Sequence, residues 1–398
     1  MKMRPLLVAL GVIVILPELL FGFYYRLKIG SLISPSEIVH ERISRYVNTE
    51  EFKDCPGGEG FAPLPYLGYG RPLRLKKSCG PYDVANNRGL PGPDFPEKKD
   101  PTSFTVLLTG GSVAERFGLQ KRNGVPYFED FLNQRYRAPN GKKFRVLVAA
   151  LSDYRMPQQQ IAVLLFQDVI DAVVDFSGFN EAMRYRRRER LEKPADAYWD
   201  LFQGAGRSRD LNAARELVRS LEESPCRFSY ACVYFAEARF RSTIMDLYRT
   251  ERFPEERKLG DFPGEVPQGD LWDLRLQKHR GYYRNLKSLC QSAGLSCSFF
   301  LQPAPGIQKK LSARERIHVT DDLKIFYRRY QRVVDGLLPL APEIPLHSLL
   351  GIYSHESGTI YSDHIHLQSS PHGITRGYEV LAEALGREMA KDWGLQRK

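Results

Sequence analysis

Apolar and polar positions follow two rhythms along this chain, and the change between them marks where a sheet begins. The N-terminus is apolar from Leu6 to Tyr25, interrupted by Pro17 and Glu18. About twenty helical residues at 1.5 Å each span a hydrocarbon core of about 30 Å, so this run predicts a membrane-crossing helix. Residues 29–100 carry many glycines and prolines and little regular period, and Asn86 to Pro93 predicts a turn-rich approach to a strand. From Phe104 the period changes. Phe104 to Thr109, Arg145 to Leu151 and Asp171 to Phe176 are short, largely apolar runs of the kind buried strands show. Gln158 to Gln167, between the last two, has helical spacing.

Such alternation predicts a parallel sheet covered by helices, an α/β fold. It is broken over 184–275 by a polar, helical stretch in which Leu211 to Glu223 and Cys232 to Arg249 are the best helices. It resumes with a helix ending near Ala293, where Gly294 suits the stop, and a strand from Ser296 to Gln302. Asp321 to Leu337 is amphipathic. The last helix, Gly377 to Trp393, sets Val380, Leu381, Ala384, Leu385 and Met389 on one side. The expected organisation is an anchor over 1–28, an extension over 29–100, and an α/β domain over 101–398 into which 184–275 is inserted.

Charge and cysteines bear on the compartment. The 398 residues carry a net charge of +11, which favours anionic neighbours. No nucleic-acid motif, zinc knuckle or repeated basic–aromatic spacing is present, so the charge reads as a membrane-surface property and no nucleic-acid partner is expected. Lys2 and Arg4 precede the apolar run, Tyr24-Tyr25-Arg26 ends it as an interfacial anchor, and no small-x-small cleavage site follows. That predicts an uncleaved signal anchor with a cytoplasmic N-terminus. Glu18 costs such a helix a few kcal/mol unless it is relieved, for which Arg26 and interfacial water are the expected means. The six cysteines form three sequence-local pairs, Cys55 with Cys79, Cys226 with Cys232, and Cys290 with Cys297. Local pairs suit an oxidising compartment, the periplasm or extracellular space.

The candidate chemistry sits at the ends of the predicted strands. Gly110-Gly111-Ser112 breaks the first strand at two glycines and places Ser112 at the mouth of the sheet. Gly178-Phe179-Asn180-Glu181 follows the third strand, and Asp363-His364-Ile365-His366 precedes the final helix. A serine hydroxyl is a poor nucleophile until a base removes its proton, and the base must be held in one tautomer. Ser112 is the candidate nucleophile, His366 the base and Asp363 its orienting acid; three residues apart, the last two can lie on one side of a turn. The Asn180 amide and the Ser112 backbone N–H are candidate donors to an oxyanion.

Plainer readings exist for each. Ser112 and Asp363 suit caps, and Asn180 with Glu181 suits a helix start. All three clusters falling at strand ends is what the plain readings explain badly. The basic run from Arg184 to Arg190 is ordinarily a solvated face. Its nearness to Asn180 makes Arg184 and Arg186, with Gly178, candidates for contact with an anionic substrate. His355, His364, His366 and His372 match no metal motif, and neither metal nor cofactor is expected. Gly110-x-Ser112-x-Ala114 is also similar to a weakened nucleophile elbow of the α/β-hydrolases, against which the sequence-adjacent Asp and His speak.

Gly111-Ser112 after the first strand, Gly178-x-Asn180 after the third and Asp363-x-x-His366 before the last helix together resemble the SGNH (GDSL-like) hydrolases over about residues 100 to 390. Asn86 to Gly92, Leu301-Gln302-Pro303 and the N-terminal apolar run resemble the membrane-anchored bacterial members. The resemblance implies a flavodoxin-like α/β/α sandwich and cleavage or transfer of ester-linked acyl groups on a glycan or lipid. It also implies Ser112, Asp363 and His366 as the catalytic set and Asn180 as an oxyanion donor. Two positions depart from the family. Gly111 replaces an Asp, and the second strand ends in Val148-Ala149-Ala150-Leu151-Ser152-Asp153 without the glycine whose N–H serves the oxyanion. Ser152 or Asp153 falls in its place, and an anion at Asp153 would oppose the charge that forms there. A catalytically silent glycan- or partner-binding descendant is the alternative reading.

Overall fold

A strand that is apolar on both faces has to lie in a sheet covered on both sides. Ser103–Gly110 (β1) is buried at every position after the first, and it lies inside the sheet. The structure is a computed structural model describing residues 3–30, 32–40, 62–71, 85–184, 219–239, 271–319, 321–370 and 373–398. Four further strands join β1, all in parallel: Lys143–Ala150 (β2), Ala172–Ser177 (β3), Ser296–Leu301 (β4) and Leu346–Ser348 (β5). Their spatial order is 2-1-3-4-5, the flavodoxin-like arrangement of a doubly wound sheet. The chain runs outward from β1 to β2 and then returns to β3 on the other side of β1. The carboxyl ends of β1 and β3 therefore flank the switch point where such folds place their ligands.

Helices cover both faces. Ser112–Gly118 (α1), Tyr127–Arg135 (α2) and Arg376–Trp393 (α7) form one layer, in which Phe117 packs on Phe128 and Tyr378. Gln158–Phe166 (α3) and Leu271–Ser292 (α5) form the other, with Phe179–Arg184 (α4) and Asp321–Leu337 (α6) packed together beside them. The result is a three-layer α/β/α sandwich. Cys290 and Cys297 are bonded, tying the end of α5 to β4. The outer edge of β2 is occupied by side chains of α2. Asn133 donates to the Phe144 carbonyl and accepts from its N–H, both at 2.9 Å, and Glu129 accepts from the Val146 N–H at 2.9 Å.

The chain divides into two compact units, and the sandwich belongs to the larger. The smaller takes in Met1–Lys53, Leu201–Glu265 and Ser312–Thr320. Its described core gathers Tyr25, Ile29, Ile33, Ile38, Val39, Leu221, Val233 and Ile317. The Tyr25 hydroxyl donates to Glu237 at 2.8 Å, and Arg316 donates to the Ile29 carbonyl at 2.7 Å. Cys226 and Cys232 are bonded there. The partners of Glu18 differ from those expected: its carboxylate accepts from the Ser229 hydroxyl and, at 2.7 Å, from the Tyr230 N–H. These donors, and not Arg26, offset the cost of a carboxylate among apolar residues.

The N-terminal helix runs unbroken over Met3–Ile29, with Pro17 inside it. Among the described residues no helix is long and apolar enough to cross a membrane; the apolar run of this helix begins ahead of the first side chains described. Cys55, Cys79, Arg186 and His372 lie outside the described residues, as does most of the stretch 184–275.

One core carboxylate is out of the ordinary. Asp175, on β3, is fully buried and accepts from the hydroxyls of Thr109 at 3.0 Å and Ser177 at 2.7 Å. Burial, with Glu181 nearby, pushes its carboxyl up to about 7, only partly countered by the two hydroxyls. In the unfolded chain it would ionise near its ordinary value of 3.8. Between those values the native state holds a proton that the unfolded state has lost, so stability falls as pH rises. Its contribution is fully present below about pH 4 and lost as pH passes about 7. Asp175→Asn is expected to remove this loss, so urea midpoints of wild type and variant converge at pH 4 and separate, with the variant higher, by pH 8.

Candidate active site

Two glycines let the strand ends come together. At Gly110 φ is +144° and a Cβ would lie 2.1 Å from the Phe176 carbonyl oxygen on β3. At Gly111 φ is ordinary, but a Cβ would lie 2.3 Å from the Asn180 amide nitrogen. Gly111 is thus the residue against which Asn180 packs. Ser112 follows as the first residue of α1, half-buried.

The candidate base arrives on a tight turn. Tyr361 and Leu367 pair across it, and the Ser362 N–H donates to the His366 carbonyl at 2.9 Å. Within the turn one oxygen of Asp363 accepts the N–H groups of Ile365 at 2.8 Å and His366 at 2.7 Å. Its other oxygen lies 2.7 Å from His366 Nδ1, and His366 Nε2 lies 2.7 Å from Ser112 Oγ. A carboxylate at Nδ1 places the imidazole proton there and leaves Nε2 to accept from the serine. Burial works against the charged form of Asp363, but the His366 imidazole, the nearby His364 and the His366 N–H outweigh it. They hold the carboxyl well below the usual range. His364 is the weaker candidate for the base: its Nδ1 is 3.9 Å from Asp363, beyond hydrogen-bond reach. Tyr327 fixes its backbone by donating to the His364 carbonyl at 2.6 Å.

Asn180 lies in the first turn of α4 and donates to the Tyr154 carbonyl at 3.0 Å, which sets its amide between Gly111 and the loop after β2. In that loop Ser152 and Asp153 separate cleanly. The Ser152 N–H donates to Glu115 at 2.8 Å, so it is spent within the protein. Asp153 has φ +65°, the left-handed region glycine favours and Asp tolerates better than most residues.

Gly178 is buried, donates its N–H to Glu181 at 2.9 Å, and packs where a Cβ would meet Leu301 and Tyr330. It serves the turn and has no group left for a substrate. Arg184 ends α4. Its side chain, and all of Arg186, fall outside the described residues. His355 is exposed, and among the described residues no cluster of His, Cys, Asp or Glu could hold a metal ion.

Sequence reasoning missed the groups that hold the loops. Glu115 is buried on α1 among Val113, Ala114 and Phe117, meets Arg71 at 2.5 Å, and accepts from both the N–H and hydroxyl of Ser152. Glu181 accepts from the Met156 and Gly178 N–H groups, each at 2.9 Å. An acidic residue on an otherwise apolar helix face was the available signal for Glu115.

No protein-family model matches the chain, and no curated protein matches it. Among solved structures it is similar to a Bacteroides fragilis protein assigned as an acylhydrolase, at 12% identity over 74% of this chain and 90% of that one, with a TM-score of 0.32. It is also similar to an acetyl xylan esterase, at 10% identity over 72% of this chain and 98% of that one, with a TM-score of 0.33. Superposition this loose carries no residue correspondence.

Gly111→Ala tests the close approach of Asn180. The variant is expected to lose about 1–3 kcal/mol of stability, the usual cost of overpacking, read as a lower denaturation midpoint. A Cβ accommodated without loss would mean that Asn180 does not pack there.

Proposed function

We propose that this chain is a serine esterase or acyltransferase of the SGNH type. The hydrogen-bonded series Asp363, His366, Ser112, with both outer contacts at 2.7 Å, is the observation that carries the reading. Ser112 Oγ attacks the carbonyl carbon of an ester while its proton passes to His366 Nε2, and Asp363 stabilises the imidazolium that forms. The carbonyl oxygen becomes an oxyanion facing the N–H of Ser112, the Asn180 amide and the Asp153 backbone. Collapse expels the alcohol, which takes the proton from His366 and leaves an acyl-serine. Water or a second hydroxyl, deprotonated by the same imidazole, then releases the acyl group to solvent or to an acceptor.

The proposed substrate is an acylated glycan or lipid outside the cytoplasm, in keeping with the net charge of +11 and with two described disulfides, which persist in oxidising compartments. A single helix of 27 residues, roughly 40 Å long, contains the apolar run from Leu6 and supports a membrane anchor with its N-terminus in the cytoplasm. A silent binding protein would not require the serine and imidazole to be in contact, and that contact favours the enzyme.

Full-length protein in detergent is expected to form a covalent adduct at Ser112 with a fluorophosphonate, mapped by mass spectrometry and absent in Ser112→Ala and His366→Ala. Asp363→Asn is expected to lower ester turnover by about 10⁴-fold, the loss that follows when an orienting carboxylate is replaced by its amide. Folded protein that takes no label and cleaves no ester would be a binding protein instead. For the anchor, the expected outcome is retention in the membrane pellet after extraction with alkaline carbonate; release to the supernatant would overturn it.

A further inference from the structure

The segment 62–71 is a small hairpin, Ala62–Leu64 against Gly68–Gly70, far in sequence from Ser112. Its polar groups converge on the loop after β2. The Tyr69 hydroxyl donates to the Ser152 carbonyl at 2.6 Å, and the Tyr154 hydroxyl donates back to the Tyr69 carbonyl. The two rings meet edge to face with centroids 5.1 Å apart. Gln158, at the start of α3, donates to the Leu67 carbonyl at 2.7 Å. The hairpin itself is seated by the Arg71 N–H on the Gly89 carbonyl at 2.6 Å, so the turn at Asn86 to Gly92 supports it.

Arg71 then reaches Glu115. Their side chains are 9% and 2% exposed, which makes this a buried ion pair. Such pairs are weak stabilisers because desolvation cancels most of the attraction. This one does something else as well. One Glu115 oxygen takes Arg71, and the other takes the N–H and the hydroxyl of Ser152. The Ser152 peptide is therefore gripped on both sides, its N–H by α1 and its carbonyl by the hairpin. The next residue, Asp153, is held in a left-handed conformation that a non-glycine residue keeps only when its surroundings over-determine it.

We propose that Tyr69 and the Arg71–Glu115 pair are positioning residues that hold the Ser152–Asp153 backbone at the oxyanion site, in place of the glycine this loop lacks. The inference rests on the esterase reading above. It makes the hairpin part of what positions the reacting groups: a donor must sit at hydrogen-bond distance from the oxyanion, placed to within about 0.5 Å, and this loop is fixed there by hydrogen bonds.

The test compares 4-nitrophenyl acetate with its thiono analogue, in which sulfur replaces the carbonyl oxygen and accepts hydrogen bonds poorly. Tyr69→Phe removes one hydroxyl and keeps the ring against Tyr154; Ser152→Ala removes the hydroxyl contact to Glu115 and keeps the N–H contact. For each variant the expected result is a fall in kcat of about 10-fold for the oxygen ester, a fraction of the loss on deleting a whole donor, with KM changed less than about 2-fold. The thiono ester should lose much less, so the oxygen-to-sulfur rate ratio falls with kcat, while the melting temperature stays within a few degrees. An unchanged kcat, or equal losses on both esters, overturns the positioning role. Wild-type protein that neither cleaves the ester nor labels at Ser112 removes the esterase reading and this inference with it, an outcome distinct from an active enzyme indifferent to Tyr69.

Discussion

The site depends on how closely the carboxyl ends of two adjacent parallel strands can approach. β1 is paired with β3 to its own last residue, Gly110 beside Phe176, and the chain leaves β1 for a helix within two residues. Any side chain at 110 would collide with the Phe176 carbonyl, and any at 111 with Asn180. Removing both Cβ atoms lets the start of α1 sit directly against the start of α4. The serine, the asparagine and the loop after β2 then share one small volume at the switch point of the sheet. The imidazole needs only a single turn, tied by Asp363 to its own backbone, to reach that volume from the far end of the chain.

How much of this is legible in the sequence depends on the range of the signal. Runs of apolar residues locate β1 to β4, because burial on both faces leaves a local mark. The short strand at Leu346–Ser348 leaves almost none and goes unread. Ser112, Asn180 and the Asp363–His366 pair stand at element ends in short motifs, so they can be nominated from sequence. Tyr69 cannot, since its meaning lies in a contact 83 residues away along the chain, and Glu115 leaves only a charge among apolar neighbours, its partner Ser152 lying 37 residues on. The missing glycine shows the same limit from the other side. Sequence reports that a glycine is absent; only the backbone reports that Asp153 lies in the left-handed region glycine favours. Glu18 likewise reads as an uncompensated charge until the turn at Ser229 and Tyr230 supplies its donors.

Buried polar groups divide by task. Glu181 and Asp363 each accept two hydrogen bonds from backbone N–H groups, Glu115 accepts one together with the Ser152 hydroxyl and Arg71, and each fixes a loop that borders the site. Asp175 accepts only from hydroxyls, sits beneath the site in the sheet, and lies near protonation at neutral pH. Burial drives that shift, and the two hydroxyls counter it only in part. Backbone N–H groups stabilise an anion and cannot move away, whereas a hydroxyl can turn and accept as readily as it donates.

The side chains of α2 along β2 have a bearing on how this molecule behaves among its own copies. An outermost strand normally offers a row of open backbone groups to any extended peptide that passes. Here the Asn133 amide imitates a neighbouring peptide unit, meeting both the N–H and the carbonyl of Phe144, and Glu129 takes the next outward-facing N–H at Val146. Another strand could add to that edge only by first displacing a helix that is packed into the hydrophobic core through Phe128 and Leu132. Crowding at high concentration therefore meets an edge closed at Phe144 and Val146, where three hydrogen bonds from two side chains oppose edge-to-edge addition.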